Sequence, residues 1–95
     1  SYGLMITTIA INGEAYKAGL RRGEEKAVYG NSIVYIGGDI IVSVDDVKIN
    51  DYTSLMQVLK NRKPGEIVSV EYYRNNRKIK TKIKLIDKSL FVNKY

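Results

Sequence analysis

The sequence predicts an α+β fold that is mostly β: a small, partly open antiparallel β-barrel or sandwich capped by one short and one longer helix. Apolar and β-branched residues recur at period two in several short runs, Gly, Asn and Asp separate these runs, and two stretches have helical character. With 95 residues the chain has room for one hydrophobic core. We therefore expect one domain over residues 1–86 and a C-terminal tail over residues 87–95.

The elements expected before the central strand are short. A Gly opening followed by β-branched and apolar residues predicts the first strand, and small residues predict a helix of one turn that packs closely. The expected elements are a strand over residues 2–9 with Leu4 and Ile6 facing inward, a helix over residues 14–18, and a hairpin of residues 27–29 and 33–36 around Gly30 and Asn31.

A central, buried strand is predicted between Gly38 and Asp45. Alternation at period two places Ile40, Val42 and Val44 on the face that we expect to contact the core. Ile41 is also apolar, so we expect the opposite face to be covered in part near the start of the strand. A tight turn follows, and its second residue, Asp46, stands where such a turn often needs a positive φ. Turn and cap roles account for a group of carboxylates without a catalytic or metal site: Asp39, Asp45, Asp46 and Asp51.

The longer helix is predicted over residues 52–61, with Asn50 and Asp51 as candidate N-caps and Pro64-Gly65 after its end. It carries a broad apolar band: Tyr52, Leu55, Met56, Val58 and Leu59. The band is wider than one packing seam needs. In one interpretation, Leu55 and Val58 pack in the core, and the residues that line a groove are Tyr52, Met56 and Leu59. In the other interpretation, all five residues pack in the core.

The last two strands are predicted as a hairpin of residues 67–73 and 79–85 around a turn at residues 74–77. Alternation places Ile79, Thr81, Ile83 and Leu85 on the core face and Lys78, Lys80, Lys82 and Lys84 on the outward face. With a net charge of +6 and eight Tyr residues, this lysine row raises an alternative function, binding of nucleic acid or an anionic surface through Lys78 to Lys84. Lysine also discourages edge pairing on a solvated outer strand, and no nucleic-acid motif is present, so we do not expect nucleic acid as a partner.

The residue types that are missing exclude several classes of function. The chain has no His and no Cys, so the common acid-base, nucleophilic and zinc sites cannot be assembled from it alone. We expect no enzyme activity of its own, no cofactor and no metal. No apolar run is long enough to cross a bilayer, so no transmembrane segment is expected.

The order and spacing of several short motifs resemble the PDZ domain of HtrA-type, trypsin-like serine proteases. The likeness spans residues 3–86, and no single motif carries it. The motifs are Ala15 with Lys17-Ala18-Gly19-Leu20, Gly37-Gly38-Asp39-Ile40-Ile41 running into Val44-Asp45-Asp46, Leu55 and Leu59, Lys63-Pro64-Gly65, and Tyr73-Arg74. The predicted hairpin between Leu20 and Gly37 looks like an insertion in one branch of these proteases, which favours them over site-two and carboxy-terminal processing proteases.

This resemblance implies a regulatory or substrate-recognition module attached to an upstream serine endopeptidase domain, outside the cytoplasm or at a membrane. Such a module captures extended or C-terminal peptides of misfolded or regulatory proteins. The peptide adds as a strand beside the longer helix, and backbone N–H groups of a short loop hold its terminal carboxylate. Carried over by position, the groove residues are Tyr52, Met56 and Leu59.

One departure from the family pattern concerns the loop and strand that hold the peptide. In the family they precede the strand that we place at Leu4, and only three residues precede Leu4 here. We therefore expect both to be absent from this chain. We expect Leu90, Phe91 and Val92 of the tail to fill the gap beside the helix, in their own domain or by self-association with a neighbouring chain.

Overall fold

The computed structural model describes residues 2–86. It confirms the α+β, mostly β fold, with short helices on antiparallel strands. The elements are β1 (Leu4–Met5), α1 (Glu14–Lys17), β2 (Glu25–Tyr29), β3 (Ser32–Ile36), β4 (Ile40–Val44), β5 (Val47–Lys48), α2 (Tyr52–Leu59), β6 (Ile67–Arg74) and β7 (Arg77–Lys84). The predicted tail at residues 87–95, including Leu90, Phe91 and Val92, lies outside the described residues.

The main sheet has the strand order β1-β4-β6-β7, and β5 also pairs with β4. All of these pairings are antiparallel. The hairpin of β2 and β3 forms a second, two-stranded sheet. Between the main sheet and the helices lies one buried cluster whose fully buried members include Leu20, Ile41, Val44, Leu55, Leu59, Val68 and Val70.

The core face of β4 differs from the predicted one. Ile41 and Val44 are both fully buried in the core, although strict alternation would place them on opposite faces. The pairing of β4 with β6 shifts between Ile41 and Ser43, which is the signature of a β-bulge. Because the bulge adds a residue at this point, Ile41 and Val44 reach the same side, and the prediction that Ile40, Val42 and Val44 share the core face is wrong.

The first strand is shorter than predicted. Only Leu4–Met5 pairs with β4, although the Ile6 N–H still donates to the Asp39 carbonyl oxygen at 2.8 Å. Beyond that point the Thr7 carbonyl oxygen accepts from the Tyr35 N–H of β3 at 3.4 Å. The chain therefore turns from the main sheet towards the hairpin, while the predicted inward residues Leu4 and Ile6 are buried.

The two predicted turns form at the expected residues. Asp45 and Asp46 have φ values of 48° and 65°, and Val44 pairs with Val47 across them. Asn75 and Asn76 have φ values of 52° and 62° between β6 and β7. Asn and Asp tolerate this left-handed region better than other non-Gly residues, which explains why both predicted turns form.

The longer helix begins where it was predicted and ends two residues earlier, at Leu59 rather than Asn61. The Arg62 N–H donates to the Leu59 carbonyl oxygen at 2.9 Å, so the chain tightens after the last turn. The Arg62 side chain then pairs with Asp45, with Nη2 and Oδ2 3.0 Å apart. Neither helix within residues 2–86 has the length and apolar character to cross a bilayer.

Candidate functional site

A cleft of about 460 Å³ opens between β1, the β2–β3 hairpin and the N-terminal end of α2. Most of the exposed surface that lines it is apolar. Three segments far apart in sequence form its walls: residues 3–5 with Thr7; Tyr29, Val34 and Ile36; and residues 50–53. A cleft of this size and character accommodates part of an extended peptide or one large apolar side chain.

The three predicted groove residues lie at different depths along α2. Tyr52 lines the cleft and is half-buried. Met56 follows one turn later, half-buried against the core and outside the cleft lining. Leu59 is fully buried in the core, together with Leu55. The structure therefore brings Tyr52 to the cleft, and the role of the three residues in ligand binding stays a prediction.

Two reciprocal hydrogen bonds fix the start of α2 at the edge of the cleft. Asp51 Oδ1 accepts from the Ser54 N–H at 2.8 Å, and Ser54 Oγ accepts from the Asp51 N–H at 3.1 Å. This capping box satisfies donors that the first helical turn would leave without partners. Asp51 is exposed, and it is the one charged residue among those that line the cleft.

The hairpin wall was not predicted as part of the site. The pairing of Ala27 with Val34 and of Tyr29 with Ser32 places Tyr29, Val34 and Ile36 on the inner face. Val34 is buried, whereas Tyr29 is 67% exposed at the mouth of the cleft. Period two on both strands would have shown that these residues share a face, but only the folded chain shows that this face lines the same cleft as the start of α2.

An ion pair between a buried carboxylate and a partly exposed guanidinium holds the strands that support the cleft. Asp39 is 2% exposed, and Arg74 donates from Nε to Oδ1 at 2.8 Å and from Nη2 to Oδ2 at 2.7 Å. Oδ2 also accepts from the Arg21 N–H at 2.7 Å. The hydrogen bond to Asp39 raises the pKa of Arg74, against the opposing effect of burial. The prediction that a turn or cap role accounts for Asp39 is therefore wrong, because its carboxylate joins segments far apart in sequence.

The lysine row lies on the outward face of β7, at the other end of the strand order from β1. The predicted alternation is confirmed, with Ile83 and Leu85 buried and the row of lysines exposed: Lys78, Lys80, Lys82 and Lys84. Across the strand pair, Glu71 lies opposite Lys80. The hydroxyl of Ser43 donates to Glu71 Oε1 at 2.7 Å and lowers the pKa of that carboxyl, as do Lys78 and Lys80 to a smaller extent.

The chemistry available at the cleft is that of binding. Its lining residues offer apolar surface, backbone groups, hydroxyl and amide groups and one carboxylate. Among residues 2–86, no group of three or more His, Cys, Asp or Glu side chains is arranged to hold a metal ion. An apolar cleft beside a short strand and a helix suits an extended chain that adds to the sheet and inserts a side chain.

Comparison with known proteins finds a matching family model and several relatives with similar sequences. A family model described as the PDZ domain matches residues 1–85. The chain is 31% identical over 83 residues to the serine protease Do-like HtrA of Lactobacillus helveticus, covering 87% of this chain and 16% of that protein. It is 32% identical over 87 residues to the chloroplastic protease Do-like 8 of Arabidopsis thaliana, covering 92% and 18%.

A third relative and a solved structure complete the comparison. The chain is 31% identical over 83 residues to a probable periplasmic serine endoprotease, DegP-like, of Bartonella henselae, covering 87% of this chain and 13% of that protein. It resembles the crystal structure of an aminopeptidase N family protein from Idiomarina loihiensis with a TM-score of 0.63 and 19% identity, over 95% of this chain and 14% of that one. The latter likeness concerns the fold alone. The chain spans between 13% and 18% of the length of these curated relatives.

Proposed function

The chain belongs to the PDZ domain family, and from this premise we propose that it binds extended or C-terminal peptides as the recognition module of an HtrA-type serine protease. The observation that carries the proposal is the apolar cleft between β1 and the start of α2. PDZ domains bind peptides by adding a strand to a sheet, with pockets for alternate side chains. The cleft lies beside a short strand that ends the strand order among the described residues.

The helix face that borders the peptide contains Tyr52, Met56 and Leu59, at spacings of four and three residues. Tyr52 lies in the cleft wall, and in this proposal it contacts the ligand directly. Met56 lies one turn further along the same face and is half-buried, so its side chain has surface to offer. Leu59 is fully buried and supports this face from the core.

The expected affinity is modest. A few strand hydrogen bonds contribute roughly 0.5–1.5 kcal/mol each, and one buried apolar side chain contributes roughly 1.5–3 kcal/mol. These gains must exceed an association cost of at least about 4 kcal/mol. Binding is therefore micromolar or weaker, which suits transient capture of exposed apolar peptides better than permanent assembly.

The relatives support a proposal about the domain to which this module is attached. All three curated relatives are proteases, and the chain matches a small part of each. We propose that this domain binds misfolded or regulatory proteins that an attached serine endopeptidase domain then cleaves. The catalytic residues would belong to that domain, because this chain has no His.

A pair of α2 variants tests the groove. Met56→Asp places a charge on the proposed peptide face, and isothermal titration calorimetry with peptides that end in apolar residues should show a loss of about tenfold or more in affinity. Gln57→Asp adds the same charge one residue later, at an exposed position that lines a separate depression with Val47, and should leave the affinity unchanged. Equal affinities for Met56→Asp and the unmodified chain would contradict the proposal.

A further inference from the structure

The described chain ends beside the loop that follows α2. The Leu85 N–H donates to the Glu66 carbonyl oxygen at 2.8 Å, and the Gly65 N–H donates to the Leu85 carbonyl oxygen at 2.6 Å. These bonds place the end of β7 next to the loop that follows the C-terminal end of α2. The cleft lies at the opposite, N-terminal end of the same helix.

Residues 87–95 are long enough to run the full length of α2. The eight residues of α2 span about 12 Å at 1.5 Å per residue. Nine residues in extended conformation reach about 30 Å, and Lys94 is eight residues beyond Ile86, which gives it a reach of about 26 Å. The reach of Lys94 from Ile86 is therefore about twice the length of α2.

The composition of this segment complements the cleft in polarity and charge. In an extended strand Leu90, Val92 and Lys94 fall on one face. The cleft is mostly apolar and carries one charged lining residue, Asp51, at the end that the segment would reach last. Two apolar side chains followed by a lysine therefore match an apolar cleft that ends at a carboxylate.

We propose that residues 90–94 of this chain occupy its own cleft, with Leu90 and Val92 on the apolar lining and Lys94 beside Asp51. External peptides then compete with the tail, and the tail lowers the apparent affinity of the cleft for them. This inference rests on the proposed function for the identity of the competing ligand, but occupancy of the cleft by the tail is measurable without any peptide.

The first experiment uses the full chain with Leu90→Asp and Val92→Asp together. If the tail occupies the cleft in nine molecules of ten, the apparent affinity for an apolar peptide should rise about tenfold, because it scales with the fraction of open clefts. The amide NMR signals of Leu4 and Thr53 should shift in this variant without peptide. Ser89→Asp adds a charge on the opposite face of the strand and serves as the control, with unchanged affinity and unchanged signals.

The second experiment tests the ion pair. Asp51→Asn keeps an N-cap residue but removes the charge, and Lys94→Gln removes the opposite charge. Each single variant should shift the Thr53 amide signal, and the double variant should give no more than the larger single effect, because either change removes the whole pair. Lys88→Gln, which changes a lysine outside the proposed contact, should leave the signal in place. Additive effects of the two single variants would overturn the contact.

The outcomes also separate this inference from the proposed function. Equal peptide affinity for the unmodified chain and the Leu90→Asp, Val92→Asp variant, with no amide shifts, overturns the tail contact and leaves peptide binding standing. Amide shifts at Leu4 and Thr53 with no peptide binding by either form support the tail contact and remove the proposed function. Shifts that grow with protein concentration overturn the intrachain contact, because a second copy would then supply the tail.

Discussion

Arg74 at the end of β6 holds the carboxylate of Asp39, at the start of β4, through two hydrogen bonds of 2.8 and 2.7 Å. The same guanidinium donates from Nη2 to the Gly19 carbonyl oxygen at 2.7 Å. The Asp39 backbone also bonds the segment after α1, since its N–H donates to the Arg21 carbonyl oxygen at 3.0 Å. One pair of side chains therefore joins β4, β6 and the segment that leads into the hairpin wall of the cleft.

Asp39→Ala should destabilise the domain by about 2 kcal/mol, because it leaves the partly exposed Arg74 and the Arg21 N–H without their acceptor. Urea unfolding followed by circular dichroism measures the change. Arg77→Ala removes an exposed arginine three residues further on, and its effect should stay within about 0.5 kcal/mol. A similar, small loss for both variants would show that the ion pair does not hold the strands together.

Ser43→Ala should raise the pKa of Glu71 towards its ordinary value, because the hydrogen bond from Ser43 is the largest cause of the lowered pKa. A carboxyl whose folded pKa is lowered adds stability above its unfolded pKa and loses that stability as the pH falls through the folded pKa. The variant should therefore show a smaller difference in unfolding free energy between pH 7 and pH 3 than the unmodified chain.

An NMR titration of the Glu71 side-chain carboxyl checks the pKa directly. Ser69→Ala, two residues before Glu71 on the same strand face, is the matched control and should leave the Glu71 titration in place. If the Ser43→Ala titration coincides with that of the unmodified chain, the lysines rather than the hydroxyl control the carboxyl.

Features set by neighbouring residues were predictable from the sequence, and features set by distant contacts were not. Asp51 and the start of α2, the turns at Asp45 and Asn75, and the alternation of β7 all depend on chemistry within a few residues. The bulge in β4 depends on its pairing with β6, which lies more than 20 residues further along the chain. A period-two pattern cannot show an extra residue that only the partner strand reveals.

The candidate site also has features that were predictable from the sequence and features that were not. Helical spacing found the face with Tyr52, and the structure places that residue in the cleft. The same spacing could not distinguish the half-buried Met56 from the fully buried Leu59, because the position of the sheet decides which turn is covered. Period two in the hairpin gave the shared face of Tyr29 and Val34 but no sign of the site, since this face lines one cleft with α2 only in the folded chain.

Gly38→Ala should destabilise the domain more than Gly37→Ala. A Cβ at Gly38 would lie 2.5 Å from the Gly23 nitrogen and 2.6 Å from the Ile6 carbonyl oxygen, so backbone must move, at a cost of about 3 kcal/mol. Gly37 has open space around it but a φ of 88°, which costs an alanine about 1 kcal/mol. Thermal unfolding ranks the two variants. If Gly37→Ala were the more destabilising variant, the positive φ of Gly37 would limit substitution more than the close backbone contacts of Gly38 do.

Asp51→Ala should lower the unfolding free energy by about 1 kcal/mol, because it removes the acceptor for the Ser54 N–H at the first turn of α2. Asp51→Asn keeps an amide oxygen in the same place and should stay within about 0.3 kcal/mol of the unmodified chain. Hydrogen exchange of the Ser54 amide should accelerate in the alanine variant only, since the asparagine still bonds it. Loss of stability in both variants alike would mean that the charge of Asp51, interacting with the positive end of the helix dipole, matters more than the hydrogen bond.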